Sequence, residues 1–212
     1  MSEPHFDARF RAQLDELFTW RRDVRHFRSE ALPDDALARL VATAQHSPSV
    51  GLSQPWRFVR VRDAARRAAV IASFERANAD ALAQYEGSDA ALYARLKLAG
   101  LRDAPEHLAV CCDERTQSGK GLGRRTMPEM LAYSTVTAIY TFWLAARAEG
   151  IGAGWVSILE PEVVLHALSL PESWRLVAYL CVGYPEDESA SPELLRLGWE
   201  RHDAASATIV ER

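Results

Sequence analysis

The sequence predicts an α/β fold in a single domain that spans residues 1–212. Stretches with apolar residues at helical spacing alternate with short apolar or alternating runs that are typical of strands. No repeat, low-complexity segment or linker divides the chain. A chain of 212 residues also falls in the size range of one domain, and it can bury most of the surface that it would expose when unfolded.

In the first half of the chain, periodicity and helix-start signals predict four helices and one strand. Residues 6–22 carry apolar side chains at helical spacing. A proline and two acids at residues 33–35 begin a second helix, because proline suits the first turn and carboxylates suit its positive end. The remaining elements are a strand over residues 57–62 and helices over residues 63–85 and 90–100.

In the second half, the longest helix covers residues 127–149 and is apolar on more than one face. A helix with this pattern must be buried from several sides. Residues 108–112 are apolar throughout, which indicates a strand buried on both faces. Two more strands are predicted over residues 153–158 and 176–182, with a short helix from residue 160 between them.

Composition and charge exclude several classes of function. The net charge of −4 argues against nucleic acid as a partner, because binding to a phosphate backbone relies on clustered surplus positive charge. The N-terminus lacks a basic region followed by an apolar one, and the longest apolar run, residues 138–146, is far below the ~20 residues that cross a bilayer. We therefore expect a cytoplasmic protein that does not associate with membranes.

The cysteines and histidines do not predict a metal site. Cys111, Cys112 and Cys181 lack the paired spacing of metal ligands or of a redox disulfide, and the six histidines are scattered. Buried, reduced thiols are the simplest interpretation of the cysteines.

Residues 21–27, Arg-Arg-Asp-Val-Arg-His-Phe, place three guanidinium groups around the carboxylate of Asp23. Guanidinium groups pair with phosphate oxygens through charge-assisted hydrogen bonds, so the segment predicts a phosphate site. The same cations are expected to lower the basicity of Asp23. Three arginines that close a first helix would also suit a solvent-exposed helix end.

Two further stretches suit a planar ligand. Residues 46–58, His-Ser-Pro-Ser-Val-Gly-Leu-Ser-Gln-Pro-Trp-Arg-Phe, form a predicted loop whose hydroxyl and amide groups lie beside a strand end. An ordinary connection in which Trp56 fills the core explains the same residues. Gly152 and Gly154 would allow the backbone to approach a flat ring closely.

Residues 21–27 and the loop together resemble the nitroreductase family of flavoproteins. That family opens with Arg-x-Ser-x-(Arg/Lys)-x-Phe and continues with Pro-Ser-x-x-Asn-x-Gln-Pro-Trp, which corresponds here to residues 48–56. Asp23 stands in place of the family's serine, and Leu52 stands in place of its asparagine. Both departures match the branch of the family that consumes its own flavin. Further agreement lies at residues 93–101, 126–130 and 152–159.

The resemblance implies a central sheet surrounded by helices, with residues 127–149 as a long central helix. It also implies a homodimer that binds FMN at the subunit interface, with an extended C-terminal tail wrapped around the partner subunit.

The resemblance further implies an oxidoreductase that uses O2 to fragment reduced FMN. The products would be 5,6-dimethylbenzimidazole, which is the lower ligand of vitamin B12, and erythrose 4-phosphate. Asp23 would be the catalytic base, and Ser157 would orient the flavin. The flavin-binding residues that it implies are Arg21, Arg22, Asp23, Val24, Arg25, Ser49, Ser53, Leu98, Ser157 and Arg201, of which the arginines hold the phosphate and ribityl end.

Two other functions fit the same resemblance. An NAD(P)H-dependent FMN nitroreductase or quinone reductase would recycle the flavin, and a flavin-binding protein without turnover would store it. Asp23 and Leu52 weigh against the first, and retention of Asp23 and Ser157 weighs against the second. Because no dinucleotide fingerprint occurs, a separate flavin reductase is expected to supply the reduced FMN.

Overall fold

The computed structural model describes residues 4–96, 100–203 and 206–212. Within them lie eight α-helices and four β-strands. The helices are α1 (Ala8–Trp20), α2 (Ala36–Ala44), α3 (Ala64–Leu82), α4 (Gly87–Arg95), α5 (Gly100–Asp103), α6 (Met130–Ala148), α7 (Pro161–Ala167) and α8 (Glu193–Arg196). The strands are β1 (Trp56–Arg60), β2 (Glu106–Asp113), β3 (Gly152–Val156) and β4 (Trp174–Gly183).

The four strands form one antiparallel sheet in the order β1-β2-β4-β3. Alternate residues of β2 and β4 point to opposite faces, because side chains alternate along a strand. Each face is covered by its own apolar cluster, so six consecutive residues of β2 are buried even though the sheet is antiparallel. The expectation of a strand buried on both faces is therefore confirmed.

Helices α2 and α6 cover one face of the sheet, and α3, α5 and α7 cover the other. Helix α6 buries eight side chains, among them Ile139 and Phe142, and confirms the predicted long central helix. Trp56 is 3% exposed and lies in the same apolar cluster, as the simpler interpretation of its loop required. In the described part of the chain, no helix is long and apolar enough to span a bilayer.

The predicted helix over residues 90–100 is wrong in its boundaries. Helix α4 begins earlier, at Gly87, and ends at Arg95. Leu96 then adopts a non-helical ψ of 75°, and a separate short helix, α5, begins at Gly100. The sequence suggested a single helix because apolar residues recur at helical spacing from α4 into the start of α5.

Two helices carry apolar side chains that the described part of the chain leaves exposed. No residue of α1 is buried, and its Phe10 and Phe18 are both exposed. On α6, Tyr133, Val136 and Tyr140 are exposed at a spacing that places them on one face of the helix. The two helices contact each other, and their exposed apolar side chains are here called the α1/α6 face.

Candidate active site

The segment after α1 is laid along the edge of the sheet, and this placement creates the site. Asp23 forms a parallel bridge with Ala153 of β3, and the Val24 amide donates a 3.1 Å hydrogen bond to the Ala153 carbonyl. Further along, Phe27 pairs with Pro185, just after β4. The carboxylate of Asp23 is therefore fixed beside the end of β3.

Glycine is required where this segment crosses β3. A Cβ atom on Gly154 would lie 2.0 Å from the Val24 carbonyl oxygen, and one on Gly152 would lie 2.7 Å from the Val24 side chain. The sequence interpretation assigned these glycines to a flat ring. The structure corrects it: the close approach at both positions is made by the protein's own residue Val24.

A cavity of about 250 Å³, here called the main cavity, opens where the segment meets the end of β3. Asp23, Val24 and Arg25 form one wall, and residues 154–158 form another. The remaining wall comes from distant parts of the chain, namely Tyr93, Leu96, Gly100, Cys181, Leu194 and Trp199.

Asp23 is held by one amide and one guanidinium group. Its Oδ1 accepts a 2.8 Å hydrogen bond from the Trp155 amide, and its Oδ2 lies 3.6 Å from the Arg25 Nε. Burial among the surrounding atoms raises the pKa of Asp23, and this effect outweighs the Trp155 hydrogen bond and the cations Arg25 and Arg21, which lower it. Arg25 and Arg21 do lower the pKa of Asp23, as the sequence led us to expect, but burial has the larger effect and the net shift is upward. The side chain remains 41% exposed, toward the cavities.

Arg25 is the arginine that faces the main cavity. Its side chain is only 11% exposed, which rules out a simple solvated helix end. Its Nε and Nη1 atoms are buried without a hydrogen-bond partner, although Nε lies 3.9 Å from the Glu193 Oε2. Buried guanidinium donors without partners are uncommon in proteins, and they are suited to an anion.

The other two arginines point elsewhere. The Arg22 guanidinium donates to the carbonyls of Arg21, at 2.6 Å, and of Ala190. The Arg21 guanidinium lies 4.9 Å from the ring centroid of Trp143, whose own Nε1 donates a 3.1 Å hydrogen bond to the Arg22 carbonyl. Helix α6 thus fixes the backbone of the arginine segment through one tryptophan.

A second cavity of about 240 Å³, here called the side cavity, lies next to the main cavity. Asp23, Val24 and Arg25 line both cavities. The other residues of the side cavity are mostly polar or charged: Arg22, His26, Asp187, Ser189, Ser191, Glu193, Arg196 and Leu197.

Ser157 lines the main cavity together with Asp23, immediately after β3. Both predicted catalytic residues are therefore brought to the same cavity by the end of one strand. Val24, which was predicted to bind the flavin, lines it as well.

Besides Arg21 and Arg22, three predicted binding residues do not line the main cavity within the single chain. Ser49 lies in the loop before β1, where its Oγ accepts a 3.1 Å hydrogen bond from the Gln54 amide. Ser53, in the same loop, is buried with an unpartnered Oγ. Arg201 is exposed, and its amide donates to the Glu200 carboxylate at 2.8 Å. Leu98 lies outside the described residues.

The family resemblance includes the segment that carries Tyr93, but sequence reasoning missed that Tyr93 and Trp199 together form an aromatic wall of the main cavity. Tyr93 stacks on Tyr85 with ring centroids 4.9 Å apart, and Trp199 meets Tyr85 edge-on at 5.7 Å. The Tyr93 hydroxyl donates a 2.9 Å hydrogen bond to Asn78 Oδ1 on α3. The signal for this contact was Trp199, a large aromatic residue within a polar tail. A single tryptophan in the sequence does not indicate which rings it contacts.

No cluster of His, Cys, Asp and Glu within the described ranges could hold a metal ion.

The sequence model of the nitroreductase family matches residues 18–184 of this chain. The chain belongs to the nitroreductase family.

Relatives that share one name match nearly the whole chain. A protein from Rhodospirillum rubrum named 5,6-dimethylbenzimidazole synthase is 57% identical over 197 residues, which cover 93% of each chain. A protein of the same name from Rhodobacter capsulatus is 46% identical over 198 residues, which cover 93% of this chain and 96% of that relative.

Solved structures share the fold of this chain. An iodotyrosine deiodinase crystallised with FMN and 3-iodo-L-tyrosine has a TM-score of 0.73 at 24% identity, covering 93% of this chain and 97% of that one. A nitroreductase-like protein from Streptococcus mutans has a TM-score of 0.72 at 15% identity, covering 95% and 99%. These similarities confirm the predicted nitroreductase-like arrangement of sheet and helices.

Proposed function

We propose that this protein is a 5,6-dimethylbenzimidazole synthase, which uses O2 to fragment reduced FMN to 5,6-dimethylbenzimidazole and erythrose 4-phosphate. The observation that carries the proposal is that Asp23 and Ser157 line one cavity beside the buried guanidinium of Arg25. The relatives from Rhodospirillum rubrum and Rhodobacter capsulatus, which carry this name, support it at 57% and 46% identity.

The residues of the site fit a flavin that bears a phosphate group. Arg25 offers two buried donors without partners, and Arg21 and Arg22 each offer one. We infer that Arg25 and Arg22 hold the phosphate and ribityl end in the side cavity, which both residues line. The ring would then occupy the main cavity, between the end of β3 and the aromatic wall formed by Tyr93 and Trp199.

Bound reduced FMN supplies two things: the carbon atoms of the product, and the electrons that reduce oxygen. Asp23 accepts a proton during the fragmentation, and its raised pKa makes it a stronger base than an ordinary carboxylate. The Trp155 amide holds Oδ1 and leaves Oδ2 directed toward Arg25 and the cavity. The hydroxyl of Ser157 orients the ring, and the apolar wall around Leu96 keeps water out.

We further propose that a second subunit completes the site. Ser49 and Ser53 lie on a loop that does not line the main cavity, which at about 250 Å³ is slightly smaller than the ~300–1,000 Å³ of typical ligand pockets. The α1/α6 face exposes several large apolar side chains, of the kind that subunits cover. The tail, with the exposed side chains of Ile209 and Val210, would lie on the partner and bring Arg201 to its phosphate site.

The decisive experiment is aerobic incubation of the purified protein with chemically reduced FMN, followed by mass spectrometry of the small molecules. We expect 5,6-dimethylbenzimidazole and erythrose 4-phosphate in equal amounts. A heat-denatured sample is the matched control, because free reduced FMN reoxidises without fragmentation. Quantitative recovery of intact oxidised FMN from the native protein would contradict the proposed function.

We also propose that a separate flavin reductase supplies the reduced FMN, since the sequence contains no dinucleotide fingerprint. NADH and NADPH should then leave the absorbance of the bound oxidised flavin unchanged unless a reductase is added. Rapid, stoichiometric bleaching by either nicotinamide alone would instead favour an NAD(P)H-dependent nitroreductase or quinone reductase.

A further inference from the structure

Arg25 lies between two carboxylates at the boundary between the main and side cavities. Its Nε is 3.6 Å from Asp23 Oδ2 and 3.9 Å from Glu193 Oε2. Both distances suit ion pairs but exceed the 2.7–3.2 Å range of N–H···O hydrogen bonds, and the Nε and Nη1 donors remain without partners. The two carboxylates therefore offset the charge of Arg25, but its Nε donates a hydrogen bond to neither.

Glu193 differs from Asp23 in its relation to the reaction. It lines the side cavity but not the main cavity, and its side chain is 22% exposed. It lies at the start of α8, whose next residue, Leu194, lines the main cavity. Glu193 is thus placed to act on the arginine that would hold the phosphate, and not on the reacting ring.

The charges of the side cavity explain why this position matters. Its cationic groups are Arg22, Arg25 and Arg196, with His26 as a titratable neighbour, and its acids are Asp23, Asp187 and Glu193. A phosphate dianion that binds Arg25 must compete with Glu193 for the guanidinium and is repelled by the carboxylate. A ligand without a phosphate neither competes with Glu193 for Arg25 nor is repelled by the Glu193 carboxylate.

We propose that Glu193 is a positioning residue that balances the charge of Arg25 while no phosphate is bound and that opposes phosphate binding by repulsion. The inference rests on the proposed function. The repulsion weakens phosphate binding and so favours release of the phosphorylated sugar product. It also sets the preference between phosphorylated and unphosphorylated flavins at this residue.

The test compares the binding of oxidised FMN and riboflavin by flavin fluorescence and calorimetry. In Glu193→Gln, the Kd for FMN should fall about fivefold, near the upper limit for one partly exposed ion pair, while the Kd for riboflavin stays unchanged. The inhibition constant of inorganic phosphate against FMN binding should likewise fall about fivefold. Glu193→Asp, whose carboxylate is drawn back by one methylene, should give an intermediate ratio.

The matched control is Glu172→Gln, which removes the same charge from an exposed position before β4 that lines neither cavity. It should leave both dissociation constants at the wild-type values. An unchanged ratio of FMN to riboflavin affinity in Glu193→Gln would overturn the inference, and so would a lower ratio, which would mean that Glu193 holds Arg25 in place for the phosphate. If Glu193→Gln does not fold, the ratio in Glu193→Asp decides in the same way.

These outcomes are separable from those of the proposed function. A wild-type protein that makes 5,6-dimethylbenzimidazole but shows no change of ratio in the variants retains its function and loses only this inference. A wild-type protein that binds neither flavin overturns both.

Discussion

Asp23 is a carboxylate on which burial and neighbouring cations act in opposite directions. Burial prevails and raises its pKa, while Arg25 and the Trp155 amide keep it oriented. Such a group is better suited to accept a proton than an aspartate of ordinary pKa, because a base is most effective when its pKa approaches the working pH. It is also a group whose ionisation costs the protein stability.

The first prediction concerns chemistry at this residue. Asp23→Asn keeps the size of the side chain and an oxygen that can accept from Trp155, so reduced FMN should bind within about threefold of wild type. Formation of 5,6-dimethylbenzimidazole should fall by at least roughly 100-fold, the usual contribution of a general base. Product yield by mass spectrometry and flavin binding under anaerobic conditions measure the two effects.

Asp80→Asn is the control for this experiment, because Asp80 is exposed on α3 and lines neither cavity. It should match the wild type in both assays. A wild-type yield from Asp23→Asn, or from Asp23→Ser, would remove Asp23 from the role of base.

The second prediction concerns stability. With a raised pKa, Asp23 holds its proton more tightly in the folded than in the unfolded protein. Its ionisation therefore destabilises the fold as the pH rises above the ordinary carboxyl pKa of ~3.9, and the full effect is present above the folded pKa. Asp23→Asn should thus unfold at a higher temperature than wild type at pH 7, and the difference should shrink toward pH 4.

Thermal unfolding of both proteins across this pH range checks the sign. A variant less stable than wild type at pH 7 would mean that the pairing of Asp23 with Arg25 outweighs burial. A difference that is independent of pH would mean that its cause is packing and not ionisation.

At the scale of the elements, strand β3 determines where the arginine segment lies. The third prediction is that Gly154→Ala lowers the free energy of unfolding by about 1–3 kcal/mol, because the added Cβ overlaps the Val24 carbonyl. Displacement of the segment by about 1 Å should lower product formation by roughly 100-fold. Denaturant unfolding and product assays measure the two quantities.

Gly150→Asn is the matched control for Gly154→Ala. Gly150 has a φ of +71° with no atom near its added Cβ, and asparagine tolerates this conformation. It should cost less than about 1 kcal/mol and leave activity intact. Wild-type stability and activity in Gly154→Ala would show that the segment is not held against β3.

The elements that the sequence predicted well are those whose own pattern specifies them. The apolar run of β2 and the apolar faces of α6 could be predicted because the residues that become buried are neighbours within one strand or one helix. The sequence also placed Asp23 and Ser157 together, through the motifs that carry them. It could not place Trp199 against Tyr85 and Tyr93, because contacts between residues more than 100 positions apart leave no local pattern.

The direction of the Asp23 pKa shift also lay beyond the sequence. Three neighbouring arginines suggested that the pKa would fall. Arg25 and Arg21 do lower it, but burial raises it by more, and the Arg22 guanidinium is directed to backbone carbonyls. Side-chain direction and burial, which no spacing of residues specifies, decide which charges act on the carboxylate.

At the scale of the whole molecule, the main cavity and the loop that holds Ser49 and Ser53 raise the question of which chain completes which site. Leu52, at the tip of this loop, is 74% exposed. If the loop of one subunit meets the main cavity of another, Leu52→Arg should block the site of the neighbouring subunit and spare its own chain's Asp23. Each homodimer, of Asp23→Asn or of Leu52→Arg, should then be inactive.

The fourth prediction is that a heterodimer of these two variants regains activity. One of its sites combines Asp23 from the Leu52→Arg chain with the unaltered loop of the Asp23→Asn chain, so about half of the wild-type rate per dimer should return. Two affinity tags isolate the heterodimer, light scattering verifies its mass, and product formation reports the rate. If each chain formed its site alone, both sites would remain defective and no activity would return. An active Leu52→Arg homodimer would place the loop away from the reaction, and a monomeric wild-type protein would leave the α1/α6 face without its proposed partner.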